Sequence, residues 1–290
     1  MEVHTRLFTL FLIWLVVDIR GMNTDFIVDP YEEAKYWEEI KDTKILKNVS
    51  VNEKNEINSP PSEGSYLKIV CISDTHDQLQ EMLDIIPDGD VLIHSGDFTC
   101  NGETSKIEEF NEALGKLPHK HKLIVAGNHE LGFDDSEDLS KREERSRGLG
   151  TPKGYKQITN GIYLHDNEYV IDGVKFYGSS WHPLAGFPFS SLREHLEPKW
   201  ESIPTDTEIL ITHTPPLGYL DLFHGKERWG CRFLLREVEE RIKPRFHVFG
   251  HVHACYGVMT NNVTTFVNAA QCDVYNKLKN KPIVFYIKKN

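Results

Sequence analysis

The chain has 290 residues, 39% of them hydrophobic and 27% charged, and a formal net charge of −11. A chain of this length can bury a full core without disulfides or a structural metal, and its acidity argues against a nucleic-acid polymer as partner, which calls for an excess of Lys and Arg. Five cysteines with no CxxC pair exclude a zinc ribbon and a dense disulfide framework.

The chain opens on a continuous apolar run, Leu7–Val17, behind a short head containing Arg6. Eleven residues are too few for a membrane-spanning helix, which needs about 20, but they match the apolar region of a secretory signal peptide. The expectation is a signal peptide over residues 1–21, removed at Gly21, and a secreted protein or one of the secretory pathway, with the cytoplasm as the alternative and no stable membrane span. Two glycosylation sequons, Asn48-Val49-Ser50 and Asn262-Val263-Thr264, are compatible with a glycoprotein. Residues 22–65 read as a polar extension with one short helix, where Tyr31, Ala34, Trp37 and Ile40 recur at near-helical spacing. That helix could dock through Trp37. Asn48 to Gly64 reads as a linker ending in Ser59-Pro60-Pro61-Ser62-Glu63-Gly64.

A different rhythm occupies residues 66–290. Short apolar runs at Leu67–Ile72, Val91–Ile93, Leu123–Ala126, Ile209–Thr212 and His247–Phe249 read as buried strands. Helical stripes separate them over Ser105–Leu117 (Ile107, Phe110, Leu114, Leu117) and Arg232–Ile242 (Leu234, Leu235, Val238, Ile242). Ile162–Leu164, Tyr169–Ile171 and Val174–Tyr177 read as antiparallel strands, the last two joined by the hairpin signal Asp172-Gly173. Thr264–Asn268 and Ile283–Ile287 close the series. The alternation predicts one layered α/β domain with mixed sheets.

Each main strand runs into ligand chemistry: Asp74 and His76 after the first, Asp97 after the second, Asn128 and His129 after the third, His213 after the fourth, His251 and His253 after the fifth. In open α/β sheets the carboxyl ends of strands gather on one edge, so these side chains should converge. Alone, Asp-x-His is usually a helix cap and Gly-Asp a turn; five such pieces, each at a strand end, are not coincidence. Oxygen and imidazole ligands without thiolates favour Mn, Fe, Zn or Ni. Seven of them exceed the needs of one ion and suit two divalent transition-metal ions sharing a carboxylate at about 3.5–4 Å separation.

The motifs Cys71-Ile-Ser-Asp-Thr-His76, His94-Ser-Gly-Asp-Phe-Thr99, Ala126-Gly-Asn-His-Glu130, Thr212-His-Thr-Pro-Pro-Leu-Gly218 and Val248-Phe-Gly-His-Val-His253 resemble the calcineurin-like metallophosphoesterase superfamily, and within it the metallophosphoesterase-domain-containing branch. The resemblance covers Leu67 to Ile287. It implies a four-layer α/β/β/α sandwich with mixed sheets and a dimetal centre in which Asp74, His76 and His253 hold one ion, Asn128, His213 and His251 hold the other, Asp97 bridges, and His129 is the catalytic histidine. It further implies a binuclear-metal-dependent phosphoester hydrolase, Mn being the first candidate metal, acting on small phosphodiesters with cyclic nucleotides among the candidates. A nucleotide-binding or scaffold protein with little turnover is the alternative. Gly178-Ser-Ser-Trp-His-Pro183 resembles a substrate-side loop of this branch, and Ala254 stands where a carboxylate is familiar. Of the other histidines, His94 reads as support behind the ligands, His247 as a core residue, His119 and His121 as solvated, and His182 as a candidate for facing substrate.

Overall fold

The computed structural model describes residues 30–137, 142 and 146–290; the expected signal peptide lies outside the described residues. Two mixed sheets are stacked face to face. The first contains β2 (Tyr66–Ile72), β3 (Val91–Ser95), β4 (His121–Val125), β5 (Ile162–Tyr163) and β14 (Ile283–Lys288), in the order β14-β2-β3-β4-β5. Its strands run parallel except for β14 against β2. Ile162–Tyr163, expected to be antiparallel, instead pairs in parallel with β4, because the chain reaches it by a long crossover from the far end of that strand.

The second sheet contains β1 (Lys47–Asn48), β6 (Asn167–Ile171), β7 (Val174–Ser179), β8 (Ile209–Thr212), β11 (Phe246–Phe249), β12 (Gly257–Thr260) and β13 (Thr265–Asn268), in the order β1-β12-β13-β11-β8-β7-β6. The Asp172-Gly173 hairpin joins β6 to β7 as read from sequence. A small hairpin, β9 (Leu222–Phe223) and β10 (Glu227–Arg228), stands apart from both sheets.

Alternation along the strands explains the four layers. Ile69, Cys71, Val91, Ile93, Leu123 and Val125 face Phe176, Ile209, Ile211, Phe246, Val248 and Val267 in the core between the sheets. The alternate residues point outward to helices. Val70, Leu92 and Ile124 share a cluster with Ile107, Phe110 and Leu114 of the helix Thr104–Lys116; Leu210 and Phe249 share it with Leu196 and Trp200 of Arg193–Glu201 and with Leu234, Leu235 and Val238 of Arg232–Ile242. The last of these begins as α-helix and ends in a π turn over Glu237–Ile242.

The segment before β2 lies along this body. The helix Pro30–Ile40 buries Trp37 against Gly218, where a side chain would collide with the indole. Lys47 and Asn48 pair with Thr260 and Met259. The Asn58 side chain exchanges hydrogen bonds with the backbone of Tyr286 at 2.8 and 2.9 Å. No helix among the described residues is long and apolar enough to cross a membrane.

Candidate metal centre

The carboxyl ends of β2, β3 and β4 in the first sheet and of β8 and β11 in the second lie at the same end of the stack, and the loops that leave them bring the eight predicted site residues together. Three sets of ligand atoms lie within 4.8 Å of one another: Asp74, His76 and His253; His76, Asp97 and His129; and Asp97, His213 and His251. Asp97 and His76 each belong to two sets. Asn128 joins through its Oδ1, 3.1 Å from His213 Nε2.

The backbone is contorted to do this. Asp74, His76, Asp97 and His251 all have positive φ, at 51°, 40°, 52° and 68°, a region that costs an L-residue on the order of 1 kcal/mol and clusters at functional sites. Glycine is required where these carboxylates press on the chain. A Cβ on Gly127 would sit 2.2 Å from Asp97 Oδ1, and one on Gly250 would sit 1.9 Å from Asp74 Oδ2.

Backbone carbonyls orient the imidazoles. Nδ1 of His129 lies 2.7 Å from the Cys100 oxygen, Nδ1 of His213 lies 2.9 Å from the Ser95 oxygen, and Nδ1 of His253 lies 2.9 Å from the Asp273 oxygen. A carbonyl only accepts, so each Nδ1 carries a proton and each Nε2 faces the cluster, the second partner fixing the tautomer as in metal-bound histidines. His76 Nε2 and His253 Nε2 then lie 3.2 Å apart, with Asp74 Oδ1 3.1 Å from the latter. His76 Nδ1 is buried and has no hydrogen-bond partner among the described residues. Acceptor atoms converging in this way need a cation or a proton between them, so the donor set fits divalent metal ions.

Electrostatics supports the same view. Burial works against ionising Asp74, but the hydrogen bond and charge of His253, with His213, hold it down to about 2. Burial likewise opposes Asp97, yet His213 and His129 keep it well below the carboxylate range. His213 rises to about 9 against its burial because Asp97 lies 3.3 Å from its Nε2. Burial takes His76 down to about 3 and His251 well below the ordinary imidazole value. The neutral imidazoles are ready ligands; the charged ones sit on carboxylates that a metal would share.

Glu130 is the supporting residue to which the sequence reading gave no role. It is fully buried. Its Oε2 accepts from the amides of Asp97 (2.9 Å) and Gly127 (2.6 Å), and its Oε1 from the amide and hydroxyl of Thr99 (2.9 and 3.0 Å). Burial and the Asp97 charge push its pKa up, while the amides of Gly127 and Thr99, which only donate, favour the ionised carboxylate. Its signal was present in the sequence, an ionisable residue directly after Gly-Asn-His.

The remaining histidines separate cleanly. His94 is buried against Phe98 and Phe110 with its Nε2 3.0 Å from Thr75 Oγ1, and His247 is buried beside Thr212 Oγ1 at 2.8 Å. His119, expected in solvent, is buried with Nε2 3.1 Å from the Pro87 oxygen, because its ring packs beside Gly89. His182 lines the site without reaching into it: Nε2 meets the Pro188 oxygen at 2.7 Å, and Nδ1 accepts from the Leu184 amide at 3.1 Å.

The profile of the calcineurin-like phosphoesterase family matches residues 67–255, the stretch that carries every one of these side chains. The chain belongs to that family. Relatives place this calcineurin-like phosphoesterase in the metallophosphoesterase-domain-containing branch. It is 56% identical to the Caenorhabditis elegans UPF0046 protein K07C11.7 over 90% of both chains. It is 45% identical to the human metallophosphoesterase domain-containing protein 1, over 77% of this chain and 72% of that one. Among solved structures, a purple acid phosphatase from yellow lupin aligns at 14% identity with a TM-score of 0.43, over 73% of this chain and 45% of the other. Family membership and the His/Asp clusters together make this the site of a metal-dependent phosphoesterase.

Proposed function

We propose that the protein is a binuclear metal-dependent phosphodiesterase acting on small phosphodiesters, with cyclic nucleotides among the candidates. The observation that carries this reading is the position of Asp97, whose carboxylate shares one ligand set with His76 and another with His213 and His251. Asp74, His76 and His253 would hold one ion on one side of it; Asn128, His213 and His251 would hold the other. When bound, two divalent ions, Mn²⁺ first among them, supply Lewis acidity toward the phosphoryl oxygens and acidify the attacking water.

His129 differs from its neighbours. Its side chain is 33% exposed, whereas Asp97 beside it is buried. Its Nδ1–H is engaged by Cys100, so Nε2 faces the cluster, 4.0 Å from Asp97 Oδ2. In this reading the imidazolium donates its Nε2 proton to the leaving oxygen. The alternative use, His129 as a ligand in the set with His76 and Asp97, predicts loss of metal on its removal.

Hydrolysis of bis(4-nitrophenyl) phosphate and 4-nitrophenyl phosphate with Mn²⁺, with and without chelator, tests the proposal. Chelator-sensitive turnover with the diester preferred is expected. A metal-loaded protein that turns over neither would be the nucleotide-binding or scaffold protein instead, and preference for the monoester would remove the diesterase reading.

A further inference from the structure

The candidate ligand histidines are not all held alike. His213 and His253 are oriented by backbone carbonyls at Nδ1. Among the described residues none hydrogen-bonds the His251 ring, although its amide donates to Asp74. That ring is bounded instead by other rings: His213 at 4.9 Å, Trp229 at 5.3 Å and His182 at 6.3 Å.

His213 and His182 are fixed by hydrogen bonds of their own. Trp229 follows the β9–β10 hairpin, which belongs to neither sheet, so its place depends on what braces that hairpin. Phe223 stacks on its ring at 4.0 Å, and its amide donates to the Asp221 oxygen at 3.1 Å. Asp221 is ion-paired with Arg228, whose guanidinium lies 4.6 Å over the ring of Trp37 in the helix Pro30–Ile40. Trp37 also closes on Gly218, in the segment that leaves His213, so tightly that a Cβ there would come within 2.0 Å of the indole. One side chain of the N-terminal helix thus stands behind both His213 and His251. The family profile begins at residue 67, so this brace comes from outside the stretch it matches.

We infer that Trp37, Arg228 and Trp229 are positioning residues for the metal centre: the N-terminal helix, through Arg228, holds Trp229 against His251 and so sets the affinity of the ion that Asn128, His213 and His251 would hold. The inference rests on the two-ion reading. A ring packed against His251 does what a carbonyl does for His213 and His253. It removes the rotamers that turn the imidazole away, so the ordering cost falls on folding and not on metal binding. The helix has further anchors, Glu32 to Arg232 at 3.1 Å and the Tyr219 hydroxyl to the Ile45 oxygen at 3.1 Å, so losing the Trp37 ring need not release it.

Titrating the metal-free full chain with Mn²⁺ by calorimetry resolves the two binding steps, and His251→Ala identifies the one that its ligand serves. Trp229→Ala should weaken that step by about ten-fold or more, the usual cost of losing a residue that orients a ligand, and leave the other nearly unchanged. Trp37→Ala and Arg228→Met should weaken the same step several-fold, and Trp37→Phe should restore it. Trp37→Ala should add little in a chain that already carries Trp229→Ala, because both act through one ring. Both steps unchanged in Trp229→Ala and Trp37→Ala would overturn the inference and leave the two-ion reading standing. Equal weakening of both steps, the mark of a generally loosened fold, would do the same. A wild type that saturates at one ion overturns the two-ion reading and this inference with it.

Discussion

Replacing Glu130 separates the scaffold of the site from its chemistry. Its carboxylate is the shared acceptor for three main-chain amides, those of Asp97, Thr99 and Gly127, and for the Thr99 hydroxyl. The loop after β3 and the loop after β4 are thereby fastened to one buried group. Glu130→Ala leaves those three amides without a partner, and an orphaned buried donor costs about 1–3 kcal/mol. Taking the lower end, because water can enter the space and the carboxylate's own burial cost disappears, gives about 3 kcal/mol. Glu130→Gln keeps an oxygen for the Asp97 and Gly127 amides and can donate to the Thr99 hydroxyl, so only the Thr99 amide is orphaned, at about 1–3 kcal/mol. Urea denaturation of the metal-free proteins reads both losses. Metal affinity should fall in the same order, since Asp97 loses its backbone anchor while keeping its side chain. If Glu130→Ala cost less than about 1 kcal/mol and bound metal like wild type, the two loops would be held by something else.

His129→Ala should keep its metals and lose roughly 10²–10⁴-fold in rate on alkyl or ribose phosphodiesters, with a smaller loss on nitrophenyl esters that leave unprotonated; rates against leaving groups of graded pKa check this, and an unchanged dependence would show that His129 is not the acid. Asp97→Ala should be the most damaging ligand change, dropping metal content by elemental analysis below the two ions expected for wild type, and retention of both ions with normal turnover would refute the bridge. Burial holds His247 at about 3 in the folded chain, against about 6.5 when unfolded, so only the unfolded chain takes up a proton as pH falls below 6.5. Stability from this group is therefore present above that pH and lost on acidification, by about 2 kcal/mol between pH 7 and pH 5; His247→Gln should be correspondingly less acid-sensitive in urea titrations at the two pH values, and an equal loss in both proteins would contradict the assignment. N-terminal sequencing of protein from its native host should find residues 1–21 removed, and an intact Met1 would oppose the secretory reading.

The candidate ligands were legible because each follows an apolar strand, and the parallel strands of a sheet end on one edge; that the edges of the two sheets coincide, β2, β3 and β4 in one and β8 and β11 in the other, only the fold supplies. Glu130 was legible only as an ionisable residue after Gly-Asn-His, because its partners, the amides of Asp97, Thr99 and Gly127, lie in two loops that only the fold brings together. The helix Arg193–Glu201 carries a proline at Pro198 and a weak apolar stripe, so its sequence argues against the element that Leu196 and Trp200 nonetheless bury. Asn48 to Gly64 has the composition of a linker, yet Asn52, Asn55 and Asn58 use their amide side chains to bind neighbouring backbone and side chains. Polar content alone does not distinguish a free segment from one fastened by hydrogen bonds.

The pairing of β14 with β2 sets an order on the making of this protein. Cys71 takes Ile283 as its partner, so about 210 residues must be synthesised after β2 before that edge can be covered, a long wait for a non-local contact. Until then the ribosome carries a chain whose first sheet has an open, strongly apolar border, the kind of edge that recruits other chains. Completion of the first sheet thus comes late in synthesis, and a nonsense mutation within β14 should yield an aggregating product even though every candidate metal ligand has already been made.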